Sequence, residues 1–419
     1  MTDASRSHHS TEAIDAHNPF LGNRLGIAGI PPVVAAEVGA RTVTVVFADG
    51  VTRDFHHQWL RHACYCATCG NPADGIRFTT VVNVDPDGMP ESANVADGDL
   101  ELHWSDGHIS SFGCDWLRHH AYDGVDGDRR KAWRPVTWRA DLADDFPTVR
   151  WTDATDGGRG QLRVYQLLRD RGIVHVSDMG TAPARTEQLA GLMGPIHETT
   201  VYGRIYDVRA EPVAKLGAKT GMAQAPHIDD AFTYSPPGID IFHCLVNTSE
   251  GGLSTYVDGF AVAESIARAD PDAYELLTTV PIAHIRRHPG EIDMRNRGPL
   301  ISLDEFGRPC GIRYFDRALA PLDCAAELVD PMFAAIRRFN ELMLDPAFIA
   351  RIRVPAGSGM LIDNHRVMHG RTAFDPSSGR HIRLCHVPRD EFHGRLRELS
   401  RRLEPDTHDL YLPQGSHNA

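Results

Sequence analysis

Residues 359–387 read GMLIDNHRVMHGRTAFDPSSGRHIRLCHV. Two apolar runs flank a stretch rich in Gly, Ser and Pro, the pattern of strand-like segments separated by a loop. In the second run successive side chains alternate between faces. Arg380, Ile382, Leu384 and His386 therefore share one side, and Arg383 looks the other way. An arginine on the inner face of a barrel strand needs an anion, and a dicarboxylate would supply one through a bidentate pair. The first run is strand-like and carries two histidines, His365 and His369.

Outward from this stretch, similar short runs stand at IDIFHCLVN (239–247), PIAHIRR (281–287), GIRYF (311–315) and ARIRVPAG (350–357). RGQLRVYQLLRDRG (159–172) followed by IVHVSDM reads as an amphipathic helix, a glycine stop and a strand. Further helices are expected near 261–268 and 331–344. Many short strands with Gly and Pro turns predict a barrel or sandwich of antiparallel sheets, not a parallel α/β sheet. Nearer the start, residues 40–60 predict two strands, ARTVTVVF and VTRDFHHQWL, turning at Asp49-Gly50. DLELHWSDGHISSF (99–112) predicts a second hairpin turning at Asp106-Gly107, and Cys114–His120 a short helix. AYDGVDGDRR (121–130) reads as a linker. The expected organisation is a disordered tail (1–24), a small domain (25–125), a linker (126–140), a larger domain (141–404) and a loose tail (405–419).

Composition narrows the function. The chain has 419 residues and a formal net charge of −13, which disfavours nucleic-acid binding. No apolar run reaches membrane-span length, since Leu25–Ala40 is broken by Pro31, Pro32 and Glu37. The opening MTDASRSHHS has neither the basic start nor the apolar stretch of a signal peptide, so a cytoplasmic protein is expected. Eight cysteines are too sparse for a disulfide scaffold.

Two constellations carry chemistry. Cys64, Cys66 and Cys69 form C-x-C-x-x-C, and three thiolates so close can converge on one zinc ion that needs a fourth ligand. His108 on the second hairpin turn is the best placed, with His62, His103, Cys114 and His119 as rivals. A closed Cys3His site would be structural, with no open position for a substrate. The second constellation is His227-Ile228-Asp229, an H-x-D, with a strand histidine about 140 residues later, either His369 or His365. Two imidazoles and one carboxylate on one face of an iron leave open positions, as in non-haem Fe(II) oxygenases. Arg380, or Arg383 on the opposite face, would then anchor the distal carboxylate of 2-oxoglutarate.

HIDDAFTYSPPGIDIFHCLVNTSEGGLSTYVDGFAVAESI, the segment DNHRVMHGRTAF…GRHIRLC, and WLRHACYCATCGNP with WSDGHISSF together resemble the gamma-butyrobetaine dioxygenase and trimethyllysine dioxygenase family, of the TauD/TfdA type. The resemblance covers roughly residues 40 to 400. It implies a mainly β fold with helices, in which a double-stranded β-helix (jelly-roll) catalytic domain follows a small zinc-binding α+β domain, usually in a homodimer. Carried over residue by residue, it implies iron ligands His227, Asp229 and His369, zinc ligands Cys64, Cys66, Cys69 and His108, and cosubstrate contacts Arg380 and Ser254. The implied activity is hydroxylation of an unactivated C–H bond of a small polar substrate, with 2-oxoglutarate and O2 as cosubstrates and no nucleic acid or membrane as partner.

The substrate pocket departs from the family. Members that hydroxylate betaines enclose a trimethylammonium group in aromatic rings. Two of those positions correspond to Tyr202 and Tyr206. The other two read Lys219 and His386, and an asparagine that binds the substrate carboxylate reads Leu216. Two cations about 5 Å apart at an effective dielectric of about 20 repel by roughly 3 kcal/mol, and a lost cation–π face costs about 0.5–2 kcal/mol more. An anionic or zwitterionic substrate facing Lys219 is therefore expected. Gamma-butyrobetaine hydroxylation with Lys219 turned away, and a binding protein without catalysis, are the alternatives.

Overall fold

The computed structural model describes residues 23–71, 76–122, 133–200, 202–209, 220–288, 290–377, 379–404 and 412. They fall into two compact units, one reaching to Trp133 and including Glu404, the other Arg134–Leu403 with Leu412. Among the described residues no helix is long and apolar enough to cross a membrane.

In the first unit Thr42–Phe47 pairs antiparallel with Thr52–His56, and Val33–Val38 lines its other edge. Val43, Val45 and Phe47 enter the core at every second position. After His56 the chain departs from the expected strand: His57–Ala63 is a helix. Its apolar residues Trp59, Leu60 and Ala63 are spaced by one and three, a helical face that a strand would split. Trp59 stacks on Phe55 and tilts against Trp116. The second hairpin pairs Asp99–Trp104 with Ile109–Phe112, turning through Gly107 at φ 81°, and the Cys114–His120 helix follows.

The second unit is built on two sheets. The larger runs Tyr206–Arg209, Arg380–Val387, Ile239–Asn247, Ser358–Asp363, Ile173–Ser177 and Thr148–Arg150; only its last pair is parallel. The smaller runs Gln224–His227, Val367–Arg371, Ser254–Asp258 and Ala350–Ile352, all antiparallel. Alternation assigns the faces. Cys244, Met360, Ile362 and Ile382 of the larger sheet meet Tyr256, Ala350 and Val367 of the smaller in one apolar cluster. The intervening residues Ile239, Ile241, Leu361 and Cys385 face helices Arg159–Arg171, Ala184–Met193 and Arg389–Leu403. Val257 and Met368 face helices Gly259–Ala269, Pro271–Thr279 and Val329–Leu344. The architecture is thus mainly β, two facing sheets with helices on both outer surfaces.

Several elements differ from expectation. GMLIDNHRVMHG is two strands, Ser358–Asp363 and Val367–Arg371, which belong to different sheets and are joined by a turn at Asn364–Arg366. GIRYF contributes only the end of the strand Pro309–Ile312, and ARIRVPAG is a strand only at Ala350–Ile352. Residues 1–22 of the expected N-terminal tail lie outside the described residues. Asn23 is buried, and its side chain bonds Ala63 O and Tyr65 N. In the expected linker 126–140, residues 126–132 lie outside the described residues. Val136 and Trp138 instead bond Asp170, Arg171 and Asp258 of the second unit. In the 405–419 tail only Leu412 is described, and it is buried in the core.

The turn between sheets is held by a buried ion pair. Arg366 donates to both Asp258 oxygens, at 3.0 and 2.8 Å, and to Asp170 O and Val136 O. Asp258 also caps the following helix at Phe260 N. Both side chains are almost wholly enclosed. Removing one partner strands the other charge in the interior. Asp258→Ala and Arg366→Met are each expected to lower unfolding free energy by about 3–5 kcal/mol, and the double variant by less than the sum. Urea denaturation checks this, and additive losses would contradict it.

Candidate metal and cosubstrate sites

The first cluster lies within the first unit. His108 Nε2 is 3.4, 3.7 and 3.6 Å from the Sγ atoms of Cys64, Cys66 and Cys69. A tetrahedral zinc with ordinary Zn–S and Zn–N bonds places sulfur and nitrogen about 3.5 Å apart. The backbone turns around the cluster through Cys69 N and Gly70 N, which both donate to Cys66 O. His108 is set by Asp106, which accepts its backbone N–H at 2.9 Å. Arg61 bridges Asp106 and Cys69 Sγ, bringing a positive charge to a thiolate-rich site. Burial pushes the Cys64 thiol up to about 12. Against burial, the Thr68 hydroxyl and nearby backbone N–H groups bring Cys66 down to about 7. Of the rivals, His103 pairs with Glu101, and none of the four joins the cluster.

In the second unit His227 and His369 are direct cross-strand partners in the smaller sheet. Their rings stand 4.7 Å apart. Asp229 Oδ1 lies 3.6 Å from His227 Nε2 and 3.7 Å from His369 Nε2. His227 Nδ1 donates to Ala225 O at 2.9 Å, which aims Nε2 at the common point. Asp229 sits just past the strand end and is fixed by Asn364. That side chain accepts from Asp229 N at 2.8 Å and donates to Asp229 O and Pro237 O at 3.1 and 3.0 Å. Burial pushes His369 down to about 4, so its ring is neutral and can donate a lone pair. Burial opposes ionisation of Asp229, but the facing His369 and His227 outweigh it and hold the carboxyl well below its usual range. His365 is turned away: its Nε2 donates to Pro236 O at 3.0 Å in the core.

The three ligand atoms open onto a cavity of about 340 Å³ between the sheets. Ser254 and Arg380 line it, and Arg383 faces the opposite side, donating to Pro183 O. The Arg380 Nε is enclosed without a hydrogen-bond partner, and the guanidinium has no carboxylate partner among the described residues. Burial holds its pKa below the usual arginine value, the mark of a cation without a counter-charge. A dicarboxylate's far end fits that deficit. Arg371, which the sequence reading did not single out, also lines the cavity, and its guanidinium donates to Met222 O and Thr220 O.

Tyr202 and Tyr206 line the cavity with ring centroids 4.9 Å apart. Lys219 and Leu216 lie outside the described residues. The His386 ring stands 6.3 Å from that of Tyr202, but His386 is not among the residues lining the cavity. It is the cross-strand partner of Asp240, and its Nδ1 bonds Asp240 Oδ1 at 2.7 Å with both side chains enclosed. Burial lowers the His386 pKa, but the Asp240 carboxylate more than compensates and raises it to about 9. Asp229, Asp240 and His386 form a second possible metal group. There the mutual bond of Asp240 and His386 already uses one donor atom from each. The other Asp240 oxygen lies 4.0 Å from His369 Nδ1, on the side away from the cavity ligands' Nε2. Asp240 is absent from the sequence reading because nothing marks it until the strand register pairs it with His386.

Residues 134–386 match the family described as "Taurine catabolism dioxygenase TauD, TfdA family", and residues 34–118 match "Gamma-butyrobetaine hydroxylase-like, N-terminal". The chain is 34% identical over 374 residues to gamma-butyrobetaine dioxygenase of Pseudomonas sp. (strain AK-1), covering 89% of this chain and 97% of that protein. It is 30% identical over 357 residues to the mitochondrial trimethyllysine dioxygenase of Gallus gallus, covering 82% and 83%. With gamma-butyrobetaine dioxygenase of Homo sapiens it shares 25% identity over 377 residues, covering 87% and 96%.

Asn364→Ala should leave the three ligand side chains in place but free the Asp229 backbone. Mn(II) affinity is expected to fall about 10- to 100-fold with the circular dichroism spectrum retained. Unchanged affinity would remove Asn364 from the site.

Proposed function

The chain belongs to the TauD/TfdA family of Fe(II)- and 2-oxoglutarate-dependent dioxygenases, and we propose that it hydroxylates an unactivated C–H bond of a small anionic or zwitterionic metabolite. What carries the reading is the convergence of His227 Nε2, Asp229 Oδ1 and His369 Nε2 on one wall of a cavity that also holds the uncompensated Arg380.

In this reading His227, Asp229 and His369 hold the iron and leave the opposite positions free. Bound Fe(II), with 2-oxoglutarate and O2, supplies the oxidant for C–H hydroxylation, with succinate and CO2 as coproducts. Arg380 pairs with the distal carboxylate of 2-oxoglutarate, and Ser254 stands beside it. Asp229 fills a metal position and contributes the charge that favours Fe(II). The apolar walls, among them Phe242, Met360, Ile382 and Leu384, exclude water from the reacting centre. Cys64, Cys66, Cys69 and His108 hold a structural zinc in a small α+β domain, and the two facing sheets are read as a double-stranded β-helix. The family resemblance supports a homodimer, which light scattering of the purified chain tests.

Gamma-butyrobetaine hydroxylation itself is favoured by one observation: Tyr202 and Tyr206 both keep aromatic faces on the cavity. A binding protein without catalysis would have no use for the full ligand set together with Arg380.

Succinate formation from 2-oxoglutarate, screened against anionic and betaine metabolites, tests the reading. His227→Ala, Asp229→Ala and His369→Ala should each reduce turnover to background. Arg380→Ala should mainly raise KM for 2-oxoglutarate, by about 10- to 100-fold. If Arg383→Ala has that effect and Arg380→Ala has none, the cosubstrate anchor is misassigned.

Zinc should be found at one per chain by elemental analysis. Cys66→Ala should lose it without altering iron binding. Zinc-free native protein would refute the structural site.

A further inference from the structure

Besides Arg380 and the carbonyl-bound Arg371, two further cations line the cavity: Arg317, which is exposed and stands over Phe315, and Arg286, which is half-buried. Arg286 lies on the strand Ile282–His288, outside both main sheets, and lines the cavity. Its Nη1 donates to the Tyr202 hydroxyl at 2.8 Å. The guanidinium carbon stands 5.4 Å from the Tyr202 ring centroid and 5.5 Å from that of Phe232. Among the described residues the Tyr202 hydroxyl is its only hydrogen-bond partner and it has no ion pair. Asp230 acts on it electrostatically but does not line the cavity. Asp229 is the one carboxylate among the described lining residues, against four guanidinium groups.

Arg286 and the cosubstrate anchor belong to different elements, the strands Ile282–His288 and Arg380–Val387. Tyr206, whose ring is 4.9 Å from that of Tyr202, pairs with Leu384. Arg380 precedes Leu384 by four residues on the same strand, about 13 Å along it.

Resting on the functional reading above, we propose that Arg286 is the substrate-recognition residue and that the substrate presents an oxoanion to it: a carboxylate, phosphonate or sulfonate. Three features carry this. The chain's own guanidinium stands 5.4 Å from the Tyr202 ring centroid and 5.5 Å from that of Phe232, beside the aromatic surface that would receive a quaternary ammonium. A substrate cation brought beside Arg286 would be disfavoured on the order of a hundredfold by repulsion alone. Arg286 has five N–H donors, and one bond to Tyr202 leaves a fork free for a planar or tetrahedral oxoanion. Tyr202 then acts as a positioning residue that holds the guanidinium in place.

The test measures fragment binding, not turnover. The protein is saturated with Mn(II) and 2-oxoglutarate, so that Arg380 is occupied. Butanoate, propane-1-phosphonate and propane-1-sulfonate are titrated against butanamide and tetramethylammonium by ligand-observed NMR. At least one oxoanion should bind 10-fold or more tightly than butanamide, and tetramethylammonium should bind weakest. The ranking of the three identifies the oxoanion. Arg286→Gln should erase the advantage, a loss of about 10- to 100-fold, and Arg286→Lys should keep part of it. The dissociation constant for 2-oxoglutarate should be unchanged in both variants. Equal binding of butanamide and oxoanions by the wild type overturns the proposal, as does an oxoanion advantage that survives in Arg286→Gln. If 2-oxoglutarate fails to bind but oxoanions bind through Arg286, the functional reading falls and this assignment stands.

Discussion

The site depends on one register. His227 and His369 are 142 positions apart in the chain and meet because Gln224–His227 pairs antiparallel with Val367–Arg371 in the frame that sets them opposite each other. A slip of one residue would send His369 to the helix-covered outer face and bring Met368 inward. The frame is defended by composition: Met368 and Val257 pack against helices, and Val367 and Tyr256 pack between the sheets. It is also defended at the ends. Asn364 ties the loop of Asp229 to the turn that launches the second strand, and the Arg366–Asp258 pair ties that turn to the neighbouring strand. The two histidines and the carboxylate thus come from rigid elements with little freedom to drift, which suits a metal site.

The inner faces of the sheets pose a second problem. Arginine is costly to enclose without a partner, yet Arg371, Arg380 and Arg286 all border the same cavity. Arg371 is satisfied by backbone carbonyls. Arg380 and Arg286 form no ion pair among the described residues, although Asp230 acts on Arg286 electrostatically. A cavity lined by four arginines and one carboxylate favours anionic occupants. One is the cosubstrate required by the family chemistry. The other is the oxoanion proposed for the substrate at Arg286.

Much of this was legible in the sequence, for definable reasons. Alternation within RHIRLCHV correctly separated Arg380 from Arg383, since the strand is regular throughout. C-x-C-x-x-C with a histidine on a hairpin turn gave the four residues that meet within the first unit. What escaped depended on pairing across distant strands. His386 stands at a position that the family resemblance makes a cage wall, and its cross-strand neighbour Asp240 makes it half of a buried ion pair. Arg286 was invisible because PIAHIRR places it on a two-stranded insertion whose position no local pattern predicts. The sequence reading located cationic character in the pocket at Lys219, and the structure supplies it independently at Arg286. GMLIDNHRVMHG reads as one strand because its apolar residues run on. The turn inside it is set by Asn364 and Arg366, whose partners lie more than a hundred residues away.

The most direct measurement is anomalous X-ray scattering from crystals loaded anaerobically with Fe(II) and 2-oxoglutarate, recorded on both sides of the iron edge. The account predicts one iron peak per chain in the second unit, bounded by His227 Nε2, Asp229 Oδ1 and His369 Nε2, with the 2-oxoglutarate distal carboxylate on Arg380. An iron peak between Asp240 and His386, or a cosubstrate carboxylate on Arg286 with Arg380 bare, would contradict it.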